Sequence, residues 1–193
     1  MTWLPQEHAL LALPVRLGRV CLVLTFLVCA SPLALADETD QLFASLAARL
    51  AYMPDVARYK LARGIAVEDL PREAIVLENS GAAATLAGLD PTTVSHFFQV
   101  QIDVAKAIQM RHMNASDKTT AAESIPDLDG EIRPALDRLG DQIIALLAEC
   151  LRSRGNFKTA DRTAFDRALE RSPLTATERQ QLFTSLLPVR LRD

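Results

Sequence analysis

The sequence predicts an all-α fold, a single-domain bundle of about six helices in two halves, and three observations carry that prediction. Apolar residues return every third or fourth position along most of the chain, the spacing of helices buried along one side. Proline and glycine stand mostly at the edges of these stretches, where helices start and stop. No convincing run of alternating apolar and polar residues marks a half-buried strand, and no G-x-G-x-x-G or P-loop pattern opens a nucleotide-binding unit.

The first 36 residues read as an export signal rather than as part of the bundle. Arg16 and Arg19 form a positive start, Val20 to Ala30 is an almost unbroken apolar run, and Ala34-Leu35-Ala36 offers small residues at a cleavage site. The uncharged stretch to Ala36 is at the short limit for a membrane span and contains Pro32. Cys29 follows Phe26-Leu27-Val28, too bulky a setting for a lipid-attachment cysteine. The expected mature domain is therefore 37–193, a periplasmic or secreted protein with no membrane partner once the signal is removed. It keeps 19 basic against 23 acidic side chains, a balance that argues against a nucleic-acid partner. Cys150 is its sole cysteine and has no intrachain partner for a disulfide. His96 and His112 stand sixteen residues apart with no cysteine nearby, which is no metal-site spacing.

Helix by helix, Leu42, Leu46, Leu50, Met53 and Val56 define a first long helix from Asp37 to Tyr59, disturbed at Pro54, with the segment stopping at Gly64. After a loop from Ile65 to Leu70, a second helix is expected from Pro71 to Ala87. A third is expected from Pro91 to Met113, with Phe98, Ile102, Ala105 and Ile108 inward. Asn114 to Asp127 is polar and reads as loop. Leu136, Leu139, Ile143, Leu147 and Cys150 place a further helix between Leu128 and Arg154, stopped by Gly155. Two shorter helices complete the chain, the last opened by Thr175 and Glu178 as a capping box.

Charges on the packed side are the informative feature. Arg49 shares the stripe of Leu42, Leu46 and Met53, and Lys60, eleven residues on, projects in nearly the same direction. Like charges on a packed face repel and cost desolvation, so they call for carboxylates from elsewhere or for an anionic ligand. By position alone, snorkelling to the surface or pairing with acidic residues is the favoured reading. Asp69 can cap the helix that Pro71 opens, with Arg72 and Glu73 in its first turn. Gln101, Ala105 and Gln109 share a face of the third helix, which puts amides where apolar groups are expected.

The spacing Arg49, Lys60, Asp69, Arg72, Glu73 and Gln109 strongly resembles the all-helical (type II) chorismate mutases, and specifically their exported subclass. The segments Tyr52 to Lys60, Leu89-Asp90-Pro91 and Ala105 to Gln109 carry the same likeness, which covers about Leu42 to Gln142. The resemblance implies an isomerase that rearranges chorismate to prephenate with no cofactor and no metal, in a homodimer whose active sites each lie within one subunit. It implies that Arg49 and a second arginine, matched here by Arg133 in Glu131-Ile132-Arg133-Pro134, hold the two substrate carboxylates. Lys60 and Gln109 would donate to the ether oxygen, Arg72 would add positive potential, and Asp69 and Glu73 would meet the ring hydroxyl.

Two departures stand out. Ala105 replaces the Ser or Thr common in relatives, which predicts weaker substrate affinity, and Gln109 stands where some exported relatives carry Glu. An amide donates at any pH, so the rate is expected to be nearly flat between about pH 5 and 8. The alternatives on the same scaffold are an isochorismate pyruvate-lyase and a catalytically inactive helical binding protein.

Overall fold

The computed structural model describes residues 37–115 and 125–193. The expected signal segment 1–36, and residues 116–124 of the expected loop, lie outside them. Among the described residues there are helices and turns but no strand, only an isolated antiparallel bridge between Leu89 and Leu191. No described helix is long and apolar enough to cross a membrane.

The first expected helix is divided in two. Helix α1 (Glu38–Ala51) is capped by Asp37 and buries Leu42, Phe43, Leu46 and Leu50, and α2 (Met53–Arg63) follows after Tyr52. Pro54 has no N–H to offer the carbonyl of Leu50; the Tyr52 N–H bonds there instead, and a new ladder opens with Val56 N–H donating to the Tyr52 carbonyl at 3.0 Å. Gly64 ends α2 with φ of 66°, a left-handed conformation that costs a glycine little, and the chain turns back over the helix it has left.

Helix α3 (Leu70–Leu86) is capped by Asp69, and α4 (Pro91–Ala115) begins at a proline, as expected. The stretch expected to be one helix from Leu128 has a different start. Residues Leu128–Ile132 form a π-helical turn, and α5 (Arg133–Arg154) begins after it. Pro134 is the cause: it cannot donate to the preceding turn, and the N–H groups of Ile132 and Arg133 reach five residues back, to the carbonyls of Asp127 and Leu128. A 3₁₀ turn at Thr159–Asp161 leads into α6 (Arg162–Ala168), and α7 (Ala176–Leu186) carries the expected capping box of Thr175 and Glu178.

Helix α1 packs on α5 and α6, while α4 packs on α2, α3 and α7, and α3 also meets α5. Phe43, Phe165 and Phe183 stack edge to face and tilted at the centre of one half, joining α1, α6 and α7. Cys150 lies in this core, fully buried, against the Thr39 hydroxyl. The C-terminus is strapped to the α3–α4 corner by Asp90 N–H to the Arg190 carbonyl, Arg192 N–H to the Gly88 carbonyl and an Arg190–Asp90 ion pair. A cavity lies where α1, α2, α3, α4 and the start of α5 converge.

Candidate active site

All seven site residues expected from the sequence line this one cavity: Arg49, Lys60, Asp69, Arg72, Glu73, Gln109 and Arg133. The space measures about 700 Å³ including its open mouth. The apolar part of its wall is built from Met53, Val56, Val67, Val76, Ile102, Leu128 and Leu136.

Each polar group is aimed by the element that carries it. The α1 stripe turns Arg49 inward, where its guanidinium lies 5.7 Å from the centre of the Phe98 ring and donates to the Leu136 carbonyl at 2.8 Å. Lys60, 5% exposed, donates from Nζ to the Val67 carbonyl at 2.6 Å, a contact the reversal at Gly64 makes possible. At the start of α3 two carboxylates and two backbone amides are tied reciprocally. Asp69 Oδ1 accepts from Arg72 N–H at 3.2 Å, while Glu73 Oε1 accepts from Asp69 N–H at 3.3 Å. The π-helical turn brings Arg133 in to donate to Asp69 Oδ2 at 2.7 Å.

Two further charged groups line the cavity that sequence reasoning had not singled out, Lys106 and Asp137. Lys106 follows Ala105 on α4 and pairs with Glu73 at 2.9 Å. Asp137 stands one turn after Arg133 on α5 and accepts from the Arg72 guanidinium. Their positions in the chain carried no signal, since a charge one place off an inward stripe ordinarily faces solvent; only the convergence of three helices turns them to the cavity.

The cavity wall thus holds five cations and three carboxylates. Three pairs, Lys106–Glu73, Arg133–Asp69 and Arg72–Asp137, cancel one another. Arg49 and Lys60 are left, and neither has a carboxylate within ion-pair distance among the described residues; each has only a backbone carbonyl. Burial lowers the pKa of Arg49 to about 10, with Asp137 opposing and Arg72 adding to the shift. Burial also lowers the pKa of Lys60, Asp69 opposing it, Arg133 adding to it and Glu73 opposing it. Two uncompensated positive charges in an apolar-walled cavity are the complement of a dianion.

Gln109 is 6% exposed, and its Nε2 donates only to the Met53 thioether, at 3.5 Å, while its Oε1 is buried without a protein partner. A buried amide satisfied so weakly gains from a ligand acceptor. Gln101, expected on the same face, is buried but is not part of the cavity wall, and neither atom of its amide has a protein partner. Ala105 does line the cavity, as a wall with no polar group.

Comparison with known proteins decides the family. Residues 36–110 match the pattern of chorismate mutase type II. A monofunctional chorismate mutase of Enterobacter agglomerans is 30% identical over 146 residues, which cover 75% of this chain and 80% of that relative. This chain belongs to the chorismate mutase type II family. A secreted chorismate mutase of Yersinia pestis is 27% identical over 159 residues, 81% of this chain and 84% of its own. The crystal structure of the Yersinia pestis secreted chorismate mutase superposes with a TM-score of 0.71 at 27% identity, covering 79% of this chain and 98% of that one. The chorismate mutase from Burkholderia thailandensis superposes with a TM-score of 0.62 at 30% identity, over 77% and 96% of the two chains. The all-α fold class and the family expected from the sequence are thus both found.

Proposed function

We propose that this chain is a chorismate mutase, an isomerase that rearranges chorismate to prephenate inside the cavity between α1, α2, α3, α4 and α5. The single observation that supports this most is the pair of uncompensated cations, Arg49 and Lys60, in a wall whose other charges cancel. Chorismate carries two carboxylates, and their charge balances the excess.

The reaction breaks one C–O bond and forms one C–C bond within a single molecule, so no proton, electron or nucleophile has to be supplied. What the protein contributes is shape and field. Arg49 and Arg133 hold the two carboxylates through charge-assisted hydrogen bonds, and the apolar walls press the substrate into the folded conformer in which the reacting carbons meet. The C–O bond breaks ahead of C–C bond formation, so negative charge grows on the ether oxygen. Lys60 and the Gln109 amide donate to that oxygen, and both bonds strengthen as the charge grows, which is selective stabilisation of the transition state. Arg72 adds positive potential, and Asp69 and Glu73, fixed by their exchange of hydrogen bonds at the start of α3, meet the ring hydroxyl.

The activity is exported: residues 1–36 are a signal removed on the way to a periplasmic or secreted site, and the mature 37–193 domain works as a homodimer with each site complete in one subunit. N-terminal sequencing of the protein recovered from outside the cytoplasm should begin at Asp37, and light scattering should give twice the chain mass. The catalytic reading is tested by loss of chorismate absorbance with the purified protein, prephenate being confirmed by acid conversion to phenylpyruvate. Lys60→Ala should lower kcat by about 10²-fold or more. A folded wild-type protein that leaves chorismate untouched would overturn the reading.

A further inference from the structure

The three ion pairs around the cavity are not alike. Asp69 is committed twice over, since one oxygen caps α3 through Arg72 N–H and the other takes Arg133. Glu73 is likewise committed, to Asp69 N–H and to Lys106. Neither carboxylate can move without undoing the start of α3. Asp137 has no such tie: its carboxylate is half exposed, and the Arg72 guanidinium is the partner it holds. Its charge also acts on Arg49, where it favours the protonated form.

We propose that Asp137 is a displaceable counter-ion that competes with a substrate carboxylate for Arg72 and so sets substrate affinity. The proposal deepens the chorismate mutase reading and rests on it. Arg72 sits at the mouth of α3 with its backbone fixed and its guanidinium turned toward α5. Asp137 satisfies that guanidinium at the cavity wall. An arriving dianion offers Arg72 a second acceptor, and Asp137, half in solvent, swings outward to water. A monoanion satisfies Arg49 or Lys60 but leaves too little charge to draw Arg72 off Asp137. Asp137 thereby weakens the binding of a dianion, which must draw Arg72 away from it, more than that of a monoanion, which leaves the pair in place.

The test compares Asp137→Asn with Asp137→Glu, which keeps the charge. A partly exposed ion pair is worth a modest amount, so removing the competitor should lower KM for chorismate about 2- to 5-fold at low ionic strength, kcat moving less than KM. The gain should shrink in 1 M salt, where exposed charges are screened. Asp137→Glu should leave KM near the wild-type value. Malonate, a dianion that cannot rearrange, reads the same effect without turnover: titration calorimetry should find it bound about 2- to 5-fold more tightly by Asp137→Asn, with acetate gaining less. A raised KM and weaker malonate binding in Asp137→Asn would make Asp137 a strut for Arg72 and overturn the proposal, as would unchanged values. A wild-type protein that binds malonate but does not consume chorismate would overturn the mutase reading instead, and the malonate comparison would still decide the role of Asp137.

Discussion

Replacing Gln109 by glutamate turns a permanent hydrogen-bond donor into one that depends on pH. In the native cavity the Gln109 amide is buried, Nε2 has only a thioether partner and Oε1 has none, so the donor is free to serve the ether oxygen at every pH. A carboxyl at the same place donates only while protonated. Its pKa is set by two opposed effects: burial raises it, and the cationic wall of Arg49, Lys60 and Arg133 lowers it. For any value from about 4.3, that of a free glutamate, to about 6, the protonated fraction at pH 7.5 lies between roughly 1 in 1,600 and 1 in 30. The kcat/KM of Gln109→Glu should therefore match the wild type within about an order of magnitude near pH 4.5, then fall tenfold per pH unit above the new pKa. The wild-type rate should stay nearly flat from about pH 5 to 8. The assay is initial loss of chorismate absorbance across that range, with a thermal melt at each pH to establish that the variant is folded. A profile for Gln109→Glu as flat as the wild type's would refute the reasoning, because the side chain at 109 would then not be the donor that carries the rate. A wild-type rate that fell steeply above about pH 6 would refute it equally.

Three further outcomes are expected. Ala105→Ser restores a hydroxyl at the cavity wall, and one net hydrogen bond should lower KM for chorismate about 2- to 13-fold with little change in kcat; an unchanged KM would mean that no substrate oxygen comes near position 105. Because burial holds the Lys60 pKa below its ordinary value, kcat/KM should decline on the alkaline side before pH 10.5, and Lys60→Arg should push that limb upward even if its rate is lower. In α7, burial pushes the Glu178 pKa up, but the hydrogen bonds from Arg111 and Thr175 outweigh it and the net shift is downward. A carboxyl held below its unfolded value of 4.5 stabilises the fold above that pH and loses its contribution as pH falls through the lower, folded value. Glu178→Ala should thus cost about 2 kcal/mol in urea melts at pH 7, with the gap to wild type closing at strongly acid pH.

Much of the site could be read from the chain because it is built along single helices. Despite the break at Tyr52, the side chains of Arg49 and Lys60 both reach the cavity. Asp69, Arg72 and Glu73 are fixed by the local chemistry of a helix start, where capping preference and the proline at the second position leave few alternatives. What local pattern cannot express is which groups meet across helices. Arg133 reaches Asp69 from the start of α5, behind a π-helical turn that the periodicity of α5 did not announce, and Gln101, one turn from Ala105 on the expected face, is buried outside the cavity wall.

By itself, then, the amino-acid order determined the helical class, the positions of most helix ends, the family and the seven residues that come together, because period, caps and spacing are properties of neighbours in the chain. The tertiary structure alone decided the balance of charge. Lys106 and Asp137 become part of the site only when α3, α4 and α5 close on one another, and they neutralise Glu73 and Arg72 there. Arg49 and Lys60 are thereby left as the uncompensated pair. Pairing of this kind depends on distances of a few ångströms between residues dozens of positions apart, and no spacing along one helix encodes it.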